Sequence, residues 1–193
     1  MESKIKQIIE KIDSLNEALK SEYTRLSGKY GFSIRKSAIV FFEKTRNKNK
    51  KFKIPTWKYI IPRHIRHFAS IPFIYMMIFP VALLDLFITF YNLTAFTLYQ
   101  IPQVKRKDHF IYDRKFLDYL NIIQKFNCLY CSYVNGLLSY ATEIGARTER
   151  YWCPVKAANK PKNYHNWYKD FADYGNPQEW TEKFNDHNSF KGK

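Results

Sequence analysis

Residues 71–101 read IPFIYMMIFPVALLDLFITFYNLTAFTLYQI, a run of 31 positions without Lys, Arg, Glu or His and with Asp85 as its one carboxylate. About 20 apolar residues suffice to cross a bilayer as a helix, so the run is long enough to span. Both flanks are basic, with Arg63 and Arg66 before the run and Lys105, Arg106 and Lys107 after it. Loops rich in Lys and Arg stay on the cytosolic side, which argues that both ends face one compartment. A single pass meets that condition poorly. A re-entrant or monotopic hairpin meets it well, because two arms of about 14 residues would each reach only about 21 Å. Pro80, near the middle, would open such a turn by removing a backbone donor, with Asp85 or Asn92 available to freed backbone groups. Three readings of the run remain open: a membrane hairpin, a full transmembrane pass, and the core helix of a soluble protein.

Asp85 is an intramembrane polar candidate in the first two readings. A charge in an apolar span is costly and marks a functional residue whose partner must be found. The plainer reading makes it a helix cap after a turn at Pro80.

Before the apolar run, residues 29–67 carry 12 Lys or Arg and a single acid, Glu43, a net +11 out of the +15 of the whole 193-residue chain. Phe41, Phe42, Phe52, Trp57 and Tyr59 are interleaved with Lys48, Lys50, Lys51 and Lys53. That mixture suits anionic lipid headgroups or stacking on bases. Nucleic-acid binding leaves the apolar run unexplained, so anionic membrane lipid is the expected partner. Lys48, Lys50, Lys51, Lys53, Trp57, Arg63, Arg66, Lys105, Arg106 and Lys107 form the expected membrane-surface set.

Residues 1–27 place Ile5, Ile8, Ile12, Leu15, Leu19 and Leu26 at alternating spacings of three and four, with Glu22 in one apolar place. This predicts an amphipathic helix that either packs on its own domain or joins a second copy or another protein. Residues 113–152 repeat Leu117, Leu120, Ile123, Phe126, Tyr130, Val134, Leu137, Ala141 and Ile144 at helical spacing. Asn135-Gly136 within that stretch reads as a turn between two helices or as a weak spot in one. Beyond Pro154 the pattern breaks down, and one short helix is expected from Pro177 to Phe184 with Pro177 in its first turn.

Cys128 and Cys131 form a C-x-x-C, which on a helix places two thiols on one face, able to hold a soft cation such as zinc or iron or to act as a redox pair. A turn at Asn135-Gly136 would bring Glu143 level with Cys128, so the candidate metal set is Cys128, Cys131 and Glu143, with Cys153 recruited from a distance. His64 and His67 sit in the basic segment, where headgroup binding is the simpler role. His165 is a further ligand candidate. The opposing reading takes the cysteines as small apolar residues and Glu143 with Arg147 as a helix-surface pair. The three cysteines and the lack of an apolar run in residues 1–26 fit a reducing cytosol. No G-x-x-x-x-G-K, G-x-G-x-x-G, G-x-S-x-G or H-E-x-x-H is present, so the sequence assigns no reaction.

The apolar run with Phe79-Pro80 and Leu83-Leu84-Asp85-Leu86, then NCLYC at 127–131, Tyr133, Asn135-Gly136, EIGARTERYWCP at 143–154 and FADYG at 171–175, resembles a family of uncharacterised bacterial membrane-associated proteins. Their shared block is N-C-x-Y-C followed by R-T-E-x-Y-W-C-P. The resemblance covers roughly residues 70–158 and implies one unit holding the apolar segment and the thiols. It carries no activity. Where a His follows the last cysteine block in that pattern, this chain has Ala157.

These readings combine into a mainly α protein of five segments. They are an amphipathic N-terminal helix (1–28), a basic aromatic membrane-surface segment (29–67), an apolar hairpin or transmembrane span (68–103), a helical cysteine-containing region (104–158) and an irregular polar and aromatic tail (159–193). The expected function is that of a membrane-associated accessory or binding protein on the cytosolic face of a bacterial inner membrane, both flanks of the apolar segment being cytosolic. The alternative is a membrane-bound zinc, iron or thiol redox protein using the C-x-x-C and Glu143.

Overall fold

The computed structural model describes residues 2–35, 38–60, 65–186 and 190. Arg63 and His64, both expected at the membrane surface, lie outside the described residues. The chain is mainly helical and divides into two compact units, one of Met1–Ile61 with Asp113–Phe126 and one of Pro62–Tyr112 with Asn127–Lys193.

In the first unit, α1 (Glu2–Tyr30) ends at Gly31, whose φ of 63° is open to glycine without strain. The chain then turns into the antiparallel pair β1 (Phe32–Arg35) and β2 (Ala38–Phe41), in the register Phe32 to Phe41 and Ile34 to Ile39. Tyr23 of α1 meets Phe32 edge-on at 6.0 Å and accepts the Ile34 N–H at its hydroxyl. This small ribbon was not expected from the basic composition of the segment. Two short helices follow, α2 (Glu43–Lys50) and α3 (Thr56–Ile60). Arg46 reaches both carboxylate oxygens of Asp118, the closer at 3.1 Å, and buried Asn121 donates its amide to the Ile54 carbonyl. These two ties join residues 113–126 to the basic segment. The helical pattern expected from residue 113 becomes one 3-10 turn at Asp113–Phe116, and the long helix starts only after Asn121. There Asn121 accepts from the Gln124 N–H and Gln124 accepts from the Asn121 N–H, both at 2.9 Å, a reciprocal cap that fixes the start.

The second unit is built on α4 (Ile65–Met76), α5 (Ile78–Tyr99) and α6 (Ile122–Trp152), whose first turn belongs to the other unit. The expected reversal at Pro80 does not occur. Met77 alone separates α4 from α5, with right-handed helical dihedrals of φ −62° and ψ −12°, and residues 66–99 run on as one apolar helical stretch of 34 residues. Pro80 lacks the N–H that would bond the Met76 carbonyl, so the ladder breaks there and resumes with Val81 N–H on Met77 O. A missing donor ends one helix and starts the next without turning the chain.

Gln100, at φ 57°, closes α5 in the left-handed region, and residues 101–112 then run back along it as a strap with one 3-10 turn at Arg106–Asp108. Buried Asn92 holds this strap as a neighbouring strand would, accepting the Val104 N–H at 3.0 Å and donating to the Val104 carbonyl. Because the strap returns the chain, α6 runs parallel to α5: Asp85 meets Tyr133, Asn92 meets Tyr140 and Tyr99 stacks on Tyr151. The Asn135-Gly136 pair is not a turn. A Cβ on Gly136 would stand 2.9 Å from the Phe110 ring and 3.1 Å from the His109 carbonyl, so the glycine lets the strap lie against an unbroken helix.

Phe96, Leu137, Tyr140, Ile144 and Phe171 are the largest fully buried apolar residues. Phe171 comes from the segment expected to be a polar tail. That segment is irregular, yet Trp167, Tyr168, Phe171, Ala172 and Phe190 are all buried in the same core. It is pinned by the Trp167 indole N–H on Glu143, by a parallel bridge between Val155 and Ala172, and by Arg150. Arg150, 3% exposed, donates to the Lys183 carbonyl at 2.7 Å and pairs with Asp186 at 3.2 Å. The short helix expected from Pro177 is α7 (Pro177–Asn185), capped by Asn176.

Candidate membrane-binding face

A helix on the surface of a soluble domain turns its apolar stripe to the core and its polar residues to water. In α5 the sides are exchanged. Its inward side carries Ile78, Val81, Asp85, Ile88, Thr89, Asn92, Ala95, Phe96 and Tyr99, all buried or half-buried, among them Asp85 and Asn92, its two most polar side chains. Its outward side carries Phe79, Leu83, Leu86, Phe87, Phe90, Leu93 and Leu98, from 53% to 80% exposed, with Ala82, Thr94 and Thr97 between them and no charge. Phe68, Ile71, Phe73, Ile74 and Met76 continue the exposed apolar surface along α4. Exposed apolar patches beyond a few hundred Å² mark contact with a protein or a membrane, and this one extends along a helical stretch of 34 residues. At its C-terminal end Tyr99, Tyr151 and Trp152 pack together within 5.4 Å, and Trp152 is half exposed.

The inward side shows what became of Asp85. It is neither a helix cap nor on the outward side of α5. Arg106 of the strap pairs with it through both nitrogens, Tyr133 donates to it at 2.8 Å and Thr89 at 3.2 Å. The Arg106 guanidinium also lies 4.1 Å over the Phe110 ring. The hydrogen bonds from Arg106 hold the Asp85 carboxyl below its ordinary range against the opposing effect of burial. Burial, with the Asp85 charge close by, pushes the Tyr133 hydroxyl up to about 12. Arg106, expected at the membrane surface, is therefore committed to a bond across the unit, whereas Lys105 and Lys107 on either side of it are exposed.

In the first unit Lys48, Lys50, Lys51, Lys53 and Trp57 are all exposed, as are Phe52 at 71% and Ile60. From Lys50 to Ile60 only Thr56 is even half-buried, so lysines and aromatic side chains face outward together. Arg66 and His67 are exposed on α4 in the second unit.

The thiol candidates stay apart. Cys128 and Cys131 are three residues apart on α6, half-buried and exposed respectively. The unbroken helix carries Glu143 about 22 Å beyond Cys128 at 1.5 Å per residue. Glu143 is occupied by Arg147 at 2.8 Å and by the Trp167 indole, as a helix-surface pair extended into the core. Cys153 is exposed past the end of α6, and His165 bonds Glu149 at 2.8 Å. Among the described residues no three of His, Cys, Asp and Glu gather as a metal site would need. The geometric premise of the zinc or iron site was a turn at Asn135-Gly136, and Gly136 serves the strap instead.

The residues that organise the apolar face were only partly visible in sequence. Asn92 was a candidate for freed backbone groups and does satisfy backbone, though of the strap rather than of a turn. Tyr133 and Gly136 carried no signal that named their partners. Comparisons with protein-family models, curated proteins and solved structures found no match to this chain.

Proposed function

We propose that the chain is a membrane-associated binding protein that lies on an anionic bilayer, with the outward side of α4 and α5 in the hydrocarbon and the lysines of both units among the headgroups. The exchanged polarity of α5 carries this reading. An outward face of Leu and Phe over an inward Asp and Asn is the arrangement a helix takes when the solvent outside is apolar.

The strap favours a helix lying along the surface over one that crosses it. Val104 lies against Asn92 and Arg106 against Asp85, so exposed Lys105 and Lys107 are level with the middle of α5. If α5, about 33 Å long, crossed the bilayer, both lysines would enter the hydrocarbon at about 2.5–3.5 kcal/mol each. Along the surface they reach the headgroups, and the two basic flanks stay on one side, as the charge rule asks. That side is the cytosolic face of a bacterial inner membrane in this reading. The exposed lysines between Lys48 and Lys58 contribute about 1 kcal/mol each near an anionic surface, and Phe52 and Trp57 between them suit the interface. Each unit thus offers its own surface to the bilayer.

The test is flotation of the full chain with vesicles. Binding is expected to phosphatidylglycerol-containing vesicles, weaker to neutral phosphatidylcholine. Replacing Lys48, Lys50, Lys51 and Lys53 by Gln should lower anionic binding about tenfold or more while leaving neutral binding unchanged. Protein that remains soluble without detergent and ignores both vesicle types refutes the reading.

A further inference from the structure

Outside the proposed membrane-binding face, α1 carries an exposed apolar stripe. Ile8, Ile12, Leu15 and Leu19 are 51–70% exposed, and they follow the three-four alternation that in a packed helix would be its buried stripe. Among the described residues, Tyr23 packs on Phe32 and Ser27 bonds the Phe32 carbonyl near the C-terminal end of this helix. Residues 10–20 are exposed throughout, and an isolated helix of such length is marginal in water.

Three features identify what covers the stripe. First, it is narrow. Positions 5, 8, 12, 15, 19, 22 and 26 repeat every 3.5 residues, the period of a coiled-coil seam rather than the broader stripe of a helix packed on a globular core. Second, α1 holds five acids (Glu2, Glu10, Asp13, Glu17 and Glu22) against six basic residues, whereas helices that lie on anionic lipid carry a mainly basic polar face. Third, its one polar seam residue suits a particular pairing. In a parallel pair Glu22 would face Glu22 of the other copy. In an antiparallel pair centred between residues 12 and 15, Ile8 faces Leu19, Ile12 faces Leu15, and position 22 faces the apolar position 5. Glu22 is also held aside by Arg25, which grips its carboxylate with two nitrogens.

We infer that α1 pairs with α1 of a second copy of this chain as an antiparallel two-stranded coiled coil, so that the protein is a homodimer. This pairing is independent of membrane binding. The occupant is the chain itself because the seam is self-complementary in one register and its flanking charge is balanced.

Light scattering of the full chain in detergent, with the detergent mass subtracted, tests the stoichiometry. Two chains per particle are expected, falling to one in the Leu15→Asp, Leu19→Asp double variant with anionic vesicle binding kept. One chain per particle in the unaltered protein, or a dimer that survives both substitutions, overturns the proposal. So does a double variant that loses vesicle binding while the unaltered protein is a single chain, which would seat α1 on lipid. Spin labels at Glu17→Cys or Thr24→Cys, with the three native cysteines changed to Ser, test the orientation. The antiparallel pair separates the two labels along the axis by about 10 Å at position 17 and about 32 Å at position 24. Equal short separations at both positions would make the pair parallel and overturn the register.

Discussion

Helices α5 and α6 run side by side in the same direction and line the same core, yet their outer sides differ. α6 turns Leu137, Tyr140 and Ile144 inward, with Ser132 and Arg150, and leaves the polar Asn135, Ser139 and Thr142 outside around Leu138. α5 turns Asp85 and Asn92 inward and leaves Leu83, Leu86, Phe87 and Phe90 outside. One core thus has one wall with a polar outer side and one with an apolar outer side. The amount of burial does not separate the two helices; which residues are spared from burial does.

The largest test of this contrast places the same charges on the two walls. Leu83→Lys with Phe87→Lys should weaken vesicle binding by about a thousandfold, since each loses about 1.5–3 kcal/mol of apolar burial before the cost of the charge. Ser139→Lys with Thr142→Lys should leave it within about twofold. Equal losses in a flotation assay would mean that the two walls do not differ in what they face.

A second change attacks the join between the walls. Gly136→Val puts a side chain where the Phe110 ring and the His109 carbonyl stand, so the strap must shift or the helix must bend. A loss of about 1–3 kcal/mol in denaturant unfolding is expected. Gly145→Ala, where a Cβ meets nothing within 4 Å, should be neutral or slightly stabilising.

Asp85 offers the smallest and most specific effect. Asp85→Asn removes the charge partner of Arg106 and should cost about 1–2 kcal/mol, less than a fully buried pair because Arg106 is 42% exposed along its side chain. The Asp85 carboxyl is held below its ordinary value, so its contribution is complete above the unfolded carboxylate range near 4 and is lost as pH falls through the lower folded value. Tyr133 acts at the other end. With its hydroxyl raised to about 12, its contribution is complete below about 10 and disappears as pH rises through about 12. Unfolding followed against pH should show the acid arm flattened in Asp85→Asn and the alkaline arm flattened in Tyr133→Phe.

Helical class, the apolar run, the amphipathic α1 and the short helix at Pro177 were legible because each rests on local spacing or on a residue with one strong backbone effect. The reversal expected at Pro80 failed because a missing N–H interrupts a ladder without dictating a direction. The turn expected at Asn135-Gly136, which was to bring Glu143 level with Cys128, did not form, because a glycine needed for close approach and a glycine needed for a bend look alike in one sequence. Charge pattern found Arg106 but gave it the wrong partner: nothing local shows that a strap will bring it back onto Asp85. The tail was misjudged for a related reason, since Trp167, Tyr168 and Phe171 sit in a polar stretch without period and become core only through bonds to α6.

The return of the strap also sets an order of events during synthesis. α5 emerges from the ribosome before the strap and α6 groups that satisfy its inner side have emerged. Asp85 precedes Arg106 by 21 residues and Tyr133 by 48, and Asn92 precedes Tyr140 by 48. For that interval the nascent chain presents a helix apolar on one side and unsatisfied on the other. In the proposed membrane-bound state, the bilayer would be the template on which the strap and α6 are laid down, and a chain released away from it would hold α5 exposed until its C-terminal half arrives.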